Sequence, residues 1–178
     1  NDLPQIRKIM ETRTNGVVDF GTRINITDKI EEAAKNKTIV ISIPSQALQG
    51  LFDELKPLNI KNKIFVLCMK GIESETGKRL TTIVKENITQ NINVCVWVGP
   101  GHVQDFMAGI PNCMVVDSDD KAVIDDVVNT FSSDLIRLYL GDDIIGTEIG
   151  AAAKNVVGIA AGMLDGAGLS SLKGALMA

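Results

Sequence analysis

Residues 38–56 read TIVISIPSQALQGLFDELK. The run 38–43 is apolar and β-branched almost throughout, which is the pattern of a strand covered on both faces. Pro44 ends it. Proline is well tolerated in a helix's first turn, so Pro44-Ser45-Gln46 is expected to open a helix to about Lys56. A buried strand followed at once by a helix is the unit from which parallel sheets are built.

The unit recurs on the C-terminal side. Lys63–Met69 (KIFVLCM) is a second buried strand, ending in Lys70-Gly71, and a helix is expected from about Thr76 to Glu86. Asn93–Val98 is a third strand, ending in Gly99-Pro100-Gly101, with a short helix over His102–Ala108. Cys113–Asp117 and Leu135–Leu140 are further strands; between them Ser118, Asp119 and Asp120 cap a helix to about Phe131, and Asp117–Asp120 (DSDD) reads as a solvated cap rather than a cation site. On the N-terminal side, residues 5–13 suit a helix, Asn15-Gly16 a turn, and Arg23–Thr27 a short strand. Asp28 reads as the N-cap of a helix to about Lys35, with Glu31 in capping-box position. Strands alternating with helices give an α/β domain with a mainly parallel sheet. Ligands of such sheets bind beyond the carboxyl ends of the strands. Three loops there, Ile43-Pro44-Ser45, Met69-Lys70-Gly71 and Val98-Gly99-Pro100-Gly101, are the expected lips of one cleft.

From Asp142 the pattern turns wholly helical. Residues 146–168 read GTEIGAAAKNVVGIAAGMLDGAG, helix-compatible to about Met163, with Asp142-Asp143 as N-cap and Asp165-Gly166 as the end. A helix without a polar face is expected to be buried. A lysine at its centre, Lys154, is costly there unless its charge or proton is used. Gly150, Ala151, Gly158 and Ala161 leave room beside it for a ligand or another backbone. Lys154 either points into a substrate cavity as an acid/base, or snorkels to solvent or pairs with Glu148 or Asp165, and the segment alone leaves these readings open. The shift in pattern sets a domain boundary, with residues 1–140 in one domain and 141–178 in the next. Glu148, Lys154 and Asn155 interrupt the apolar run, which argues against membrane insertion.

The composition of the 178 residues is that of an ordinary globular protein, 45% hydrophobic and 22% charged. A net charge of −4, scattered basic residues and few aromatics argue against a nucleic-acid surface. Cys68, Cys95 and Cys113 lack metal-ligand spacing and lie in apolar runs, so they are expected to be reduced and buried, without a metal, in a cytoplasmic protein. His102 is the only histidine, and after a turn it reads as structural or a cap. No GxGxxG follows a strand here. The chain opens without Met and stops within a helical pattern, so it is expected to be a section of a longer protein.

IPSQAL (43–48), KGIESETG (70–77), VGPGH (98–102) and DDIIGTEIGAAAKNVVGIAAGMLDGAGL (142–169) occur in that order. The combination resembles NAD(P)-dependent glycerol-3-phosphate dehydrogenase, the soluble form, along essentially the whole chain. The resemblance implies a partial, mainly parallel Rossmann-type sheet followed by the start of an all-α substrate domain. It implies NAD or NADP as cofactor, dihydroxyacetone phosphate and sn-glycerol 3-phosphate as substrates, and a role in phospholipid synthesis. A homodimer stands as the candidate assembly. By resemblance the glycine-rich pyrophosphate turn and the later ligands of substrate phosphate lie outside these residues, so this section by itself is expected to be inactive. By resemblance Lys154 is the catalytic lysine with Asn155 after it, and Lys70 is a second active-site lysine touching substrate and cofactor. Gly99 lies on the substrate and cofactor side, and Pro44, Ser45, Gly101 and Val103 face the cofactor. The family's usual Ser-Phe-Ala after Gly-Pro is Gly101-His102-Val103 here, which leaves backbone contacts to the cofactor. Two alternatives remain open at this point. One is another lysine-dependent dehydrogenase, of the hydroxyacid or phosphogluconate kind, and the other is a non-catalytic dehydrogenase-like binding module.

Overall fold

The computed structural model describes residues 3–177. Five strands form one sheet in the order β1-β2-β3-β4-β5: β1 Thr38–Ile41, β2 Lys63–Leu67, β3 Ile92–Val98, β4 Asn112–Ser118 and β5 Ile136–Leu140. β1, β2 and β3 run parallel, with Val40 opposite Val66 and Phe65 opposite Val94. β4 lies antiparallel to β3, with Val98 opposite Val115, and β5 follows β4 in parallel. The sheet is therefore mainly parallel, with one reversal after the third strand.

Two layers of apolar side chains sandwich the sheet. Phe65 and Leu67 of β2 pack with α3 (Leu48–Leu55) and α4 (Leu80–Asn87) through Phe52, Leu55, Ile83 and Val84. Ile64 and Val66 face the other way, onto Val123, Ile124 and Val127 of α6 (Lys121–Phe131). Successive strand residues point to opposite faces, so one uninterrupted apolar run serves both layers. Asp120 caps α6 by accepting a hydrogen bond from the Ala122 amide.

Several elements depart from the sequence-based expectation. Arg23–Thr27 is not a strand, because the Arg13 guanidinium takes the Gly21 and Ile24 carbonyls instead of a neighbouring chain. Asp28 is not an N-cap: α2 spans Ile30–Ala33, Lys29 holds the cap position, and no side chain caps it. The helix expected from Thr76 starts at Leu80. Residues 73–77 form a turn in which the Glu73 carboxylate accepts from the amides of Glu75 and Thr76 and from the Thr76 hydroxyl. Asp117 is not part of a solvated cap. It sits on β4, completely buried, because its side chain faces the helix that follows β5.

That helix, α7, runs from Ile144 to Gly166. The remaining helices are α1 (Leu3–Thr12), α5 (Val103–Met107) and α8 (Ser170–Met177). The expectation that α7 is buried fails along most of its length: Val156, Ile159 and Met163 are about two-thirds exposed or more, while only Ile144, Glu148 and Ala161 are buried. The sheet holds its first turns, and α8 packs against its later part, where Lys173 pairs with Asp165. By length and composition alone α7 could cross a membrane. Its Thr147 and Glu148 are instead bonded to the body of the sheet domain. Cys113 is exposed, against the expectation of three buried thiols, because β4 turns that residue outward; Cys95 is buried and Cys68 half-buried.

Candidate functional site

The first turns of α7 lie across β3 and β4 and close a cavity of about 340 Å³. β2 ends in the loop that carries Lys70, β3 ends in Val98-Gly99-Pro100, and β4 contributes Val115. α7 contributes Gly146, Thr147, Gly150, Ala151 and Lys154. Positions 147, 150, 151 and 154 fall at the i, i+3, i+4, i+7 spacing of one helix face. Asp143 starts the helix by accepting from the Gly146 amide at 2.9 Å. The small residues of the following turns keep the wall low, and a Cβ at Gly150 would meet nothing within 4 Å.

Two lysines face this cavity. Lys70 donates from Nζ to the Gly99 carbonyl at 3.0 Å, which ties the second lip to the third. Its pKa is lowered, first by desolvation and then by the positive charge of Lys154. Lys154 is exposed, not buried, and among the described residues it pairs with no carboxylate. Glu148 is taken by Arg79 and Asp165 by Lys173, so the alternative pairings for Lys154 are both occupied. An uncompensated cation beside a second one is an arrangement for an anion or for a developing negative charge.

Gly99 has a physical reason to be glycine. A Cβ there would lie 2.9 Å from Met114, so the β3 terminus can sit flush on β4 only without one. Gly101 likewise abuts the Met114 methyl, and the Trp97 indole N–H donates to the Met114 sulfur at 2.9 Å. Ser45 packs against Gly71, which brings the first lip up to the second. Pro44 faces away and lines a separate cavity of about 600 Å³ with Ile6, Ile30 and Leu51. Val103 opens α5, with His102 in the cap position making no side-chain cap bond. Asn155 is exposed beside Lys154 and does not line the lysine cavity. Thus Lys70, Gly99 and Lys154 meet in one space, Ser45 and Gly101 support its rim, and Pro44, Val103 and Asn155 lie outside it.

The sequence reading missed Thr147 and Arg79, and gave Glu148 only as a candidate partner for Lys154. Thr147 shares the Lys154 face two turns earlier, a spacing that was there to be read. Its hydroxyl donates at 2.7 Å to Oδ2 of buried Asp117, whose Oδ1 has no partner. No grouping of His, Cys, Asp and Glu suited to a metal occurs among the described residues. A third cavity, about 420 Å³ at the opposite end of the sheet, is lined by Lys37 and Lys63. Those cations are already satisfied by Asp126 and by the carbonyls of Lys35 and Asn36.

Residues 2–124 match the family described as NAD-dependent glycerol-3-phosphate dehydrogenase N-terminus, and residues 143–178 match its C-terminus. The glycerol-3-phosphate dehydrogenase (NAD(P)+) of Clostridium tetani is 41% identical over 142 residues, 79% of this chain and 40% of its own. That of a Thermoanaerobacter species is 35% identical over 181 aligned residues, 99% of this chain and 54% of its own. The chain spans about half the length of the curated relatives it matches. The crystal structure of a glycerol-3-phosphate dehydrogenase from Coxiella burnetii superposes with a TM-score of 0.84 at 22% identity, over 98% of this chain and 55% of that one. A Plasmodium falciparum glycerol-3-phosphate dehydrogenase gives 0.81 at 17% identity, over 96% and 50%. Both share the fold.

Proposed function

This chain belongs to the NAD-dependent glycerol-3-phosphate dehydrogenase family, and from that premise we propose that it interconverts dihydroxyacetone phosphate and sn-glycerol 3-phosphate with NAD or NADP. The observation that carries the proposal is the 340 Å³ cavity with Lys70 and Lys154 on two of its walls. Two neighbouring cations favour a phosphate-bearing ketone over a neutral one. The exposed Lys154 ammonium donates to the carbonyl oxygen and gives up its proton as that oxygen gains negative charge. In the oxidative direction neutral Lys154 takes the hydroxyl proton back. Lys70, held by the Gly99 carbonyl, orients the substrate and adds to the field on the same oxygen.

A bound reduced dinucleotide supplies the hydride. The residues present fit its nicotinamide end. Gly99 lets the backbone lie flush with β4, Gly150 leaves the helix wall open, and the donors offered are ammonium and amide groups. Lys70, Gly99, Gly101 and Ser45 are the residues assigned to that end, with Asn155 beside the catalytic lysine; Pro44 and Val103, expected to face the cofactor, lie outside this cavity. The same reading divides the chain into a dinucleotide domain, 1–140, and the start of a helical substrate domain, 141–178. The exposed apolar half of α7 and the two separate family matches support that division. A cytoplasmic place in glycerophospholipid synthesis follows, supported by the three free thiols.

The test is oxidation of NADH or NADPH dependent on dihydroxyacetone phosphate. Lys154→Ala is expected to lower kcat by about 10²–10⁴-fold, the usual worth of a positioned acid/base. The assay is run on the longer protein of which this chain is expected to be a section; if that protein is folded yet oxidises neither cofactor with this substrate, or keeps its rate without Lys154, the proposal is overturned.

A further inference from the structure

One buried charged group lies close to the cavity without lining it. Glu148 is 7% exposed and sits on α7, six residues before Lys154. Its Oε1 accepts from the Thr81 amide at 3.0 Å. Its Oε2 accepts from the Thr81 hydroxyl at 2.6 Å and from Arg79 Nη1 at 2.7 Å. Arg79 and Thr81 are the cap residue and second residue of α4. The first amides of a helix have no partner inside it, and Arg79 offers no capping oxygen of its own. The α4 N-terminus is therefore capped from another helix, by a carboxylate whose charge suits that end of the dipole.

The clasp reaches the other lysine too. Arg79 is bridged through its backbone to Ile72, two residues after Lys70. A continuous path thus runs from Lys70 through Ile72 and Arg79 to Glu148, and along α7 to Lys154. Six residues of helix turn Glu148 about 120° away from Lys154, at 100° per residue. Thr147 and Lys154 instead share a face. The Thr147–Asp117 bond and the Glu148 clasp therefore hold α7 at two points around its circumference, and loss of either leaves the helix free to roll about the other.

We propose that Glu148 is a positioning residue whose clasp on Arg79 and Thr81 fixes the roll of α7 and thereby sets how closely Lys154 approaches Lys70 in the cavity. The proposal rests on the reading of that cavity as the catalytic site. Lys154, on α7, is the charged group that acts on Lys70 across it, and the Gly99 carbonyl is the polar partner from β3.

The experiment follows the titration of Lys70 in the whole chain by NMR of ¹³Cε-labelled lysine, with Lys70→Arg for assignment. In the unmodified protein Lys70 is expected to titrate below the ordinary lysine range, and Lys154→Met is expected to raise it. If either fails, the two lysines do not share a site, and both the cavity reading and the positioning role fall. If both hold, Glu148→Ala is expected to raise the Lys70 pKa as Lys154 rolls away. Glu148→Gln, which keeps an acceptor for the Thr81 amide, is expected to restore part of the effect. Should Glu148→Ala prove unfolded, Thr81→Val removes only the two hydroxyl bonds of the clasp, the one donated to Glu148 and the one accepted from Arg79, and is expected to move Lys70 in the same direction. A folded Glu148 or Thr81 variant, destabilised but with Lys70 titrating as in the unmodified protein, would show the clasp to be structural only and sink the proposal. Because no turnover is read, this outcome is separate from the fate of the proposed reaction.

Discussion

Asp117 shows how much a single buried side chain can cost. It is fully buried, with one oxygen satisfied by Thr147 and the other unpartnered. Removing one member of a buried pair strands the other, whereas replacing both by apolar groups of similar shape is neutral or stabilising. Thr147→Val alone is expected to cost about 1–3 kcal/mol in urea unfolding. The double variant Asp117→Val/Thr147→Val is expected to be at least as stable as the unmodified chain, and a double variant weaker than the single one would contradict the argument. Glu73 gives a pH-dependent counterpart. Its pKa is lowered, first by the Thr76 hydroxyl and then by the amides of Glu75 and Thr76. Its unfolded form binds a proton more readily than its folded form. The stabilisation is therefore fully present above the ordinary carboxylate value and is lost as pH falls through the lowered one. Thr76→Val is expected to raise the Glu73 pKa, read by carboxyl ¹³C NMR. At this scale the sequence disclosed Lys154 and Lys70 because a charge in an apolar run, or next to a strand-ending glycine, stands out. Arg79 and Asp117 stayed hidden, and Glu148 showed only as a candidate partner for Lys154, because each has its role through a partner 30 or more residues away.

At the scale of the element, α7 is where sequence and structure part most clearly. Its apolar composition predicts burial, yet Val156, Ile159 and Met163 face outward. Composition reports what a helix is able to cover, not what lies against it. Its glycines separate the two demands placed on it. Gly158 and Gly162 have no atom within 4 Å of an added Cβ. Gly158→Ala and Gly162→Ala are each expected to stabilise the fold by about 0.5–1 kcal/mol in urea unfolding, through helix propensity alone. Gly150→Ala is expected to stabilise similarly but to weaken binding of dihydroxyacetone phosphate, because its methyl enters the cavity wall. Equal binding by that variant would place the substrate elsewhere. The buried strands, by contrast, were legible almost to the residue, since a β-branched run between polar turns has few other uses. The helix start at Leu80 was not, because Glu73 satisfies the amides of the expected first turn from outside it.

For the whole molecule, the two apolar layers share β2 and β3, so they should lose structure together. Phe65 packs edge-on against Phe52 in one layer, while Trp97 contacts Phe131 in the other. Phe65→Ala is expected to cost about 3–5 kcal/mol. It should shift the Trp97 fluorescence transition and the far-ultraviolet dichroism transition by the same amount. A fluorescence midpoint left in place would mean that the layers unfold separately. The alternation of strand and helix was enough to read an α/β sheet, but not the reversal of β4. Parallel and antiparallel neighbours differ in where the connection crosses, and α5 is too short for its residues to record that path.

The lateral order of the strands is also their order along the chain. No later strand has to be inserted between two earlier ones. A nascent chain leaves the ribosome at about 5–20 residues per second, N-terminus first. Each of β2 to β5 would therefore emerge to find its earlier neighbour already present, and this part of the sheet could grow at a single edge at the pace of translation.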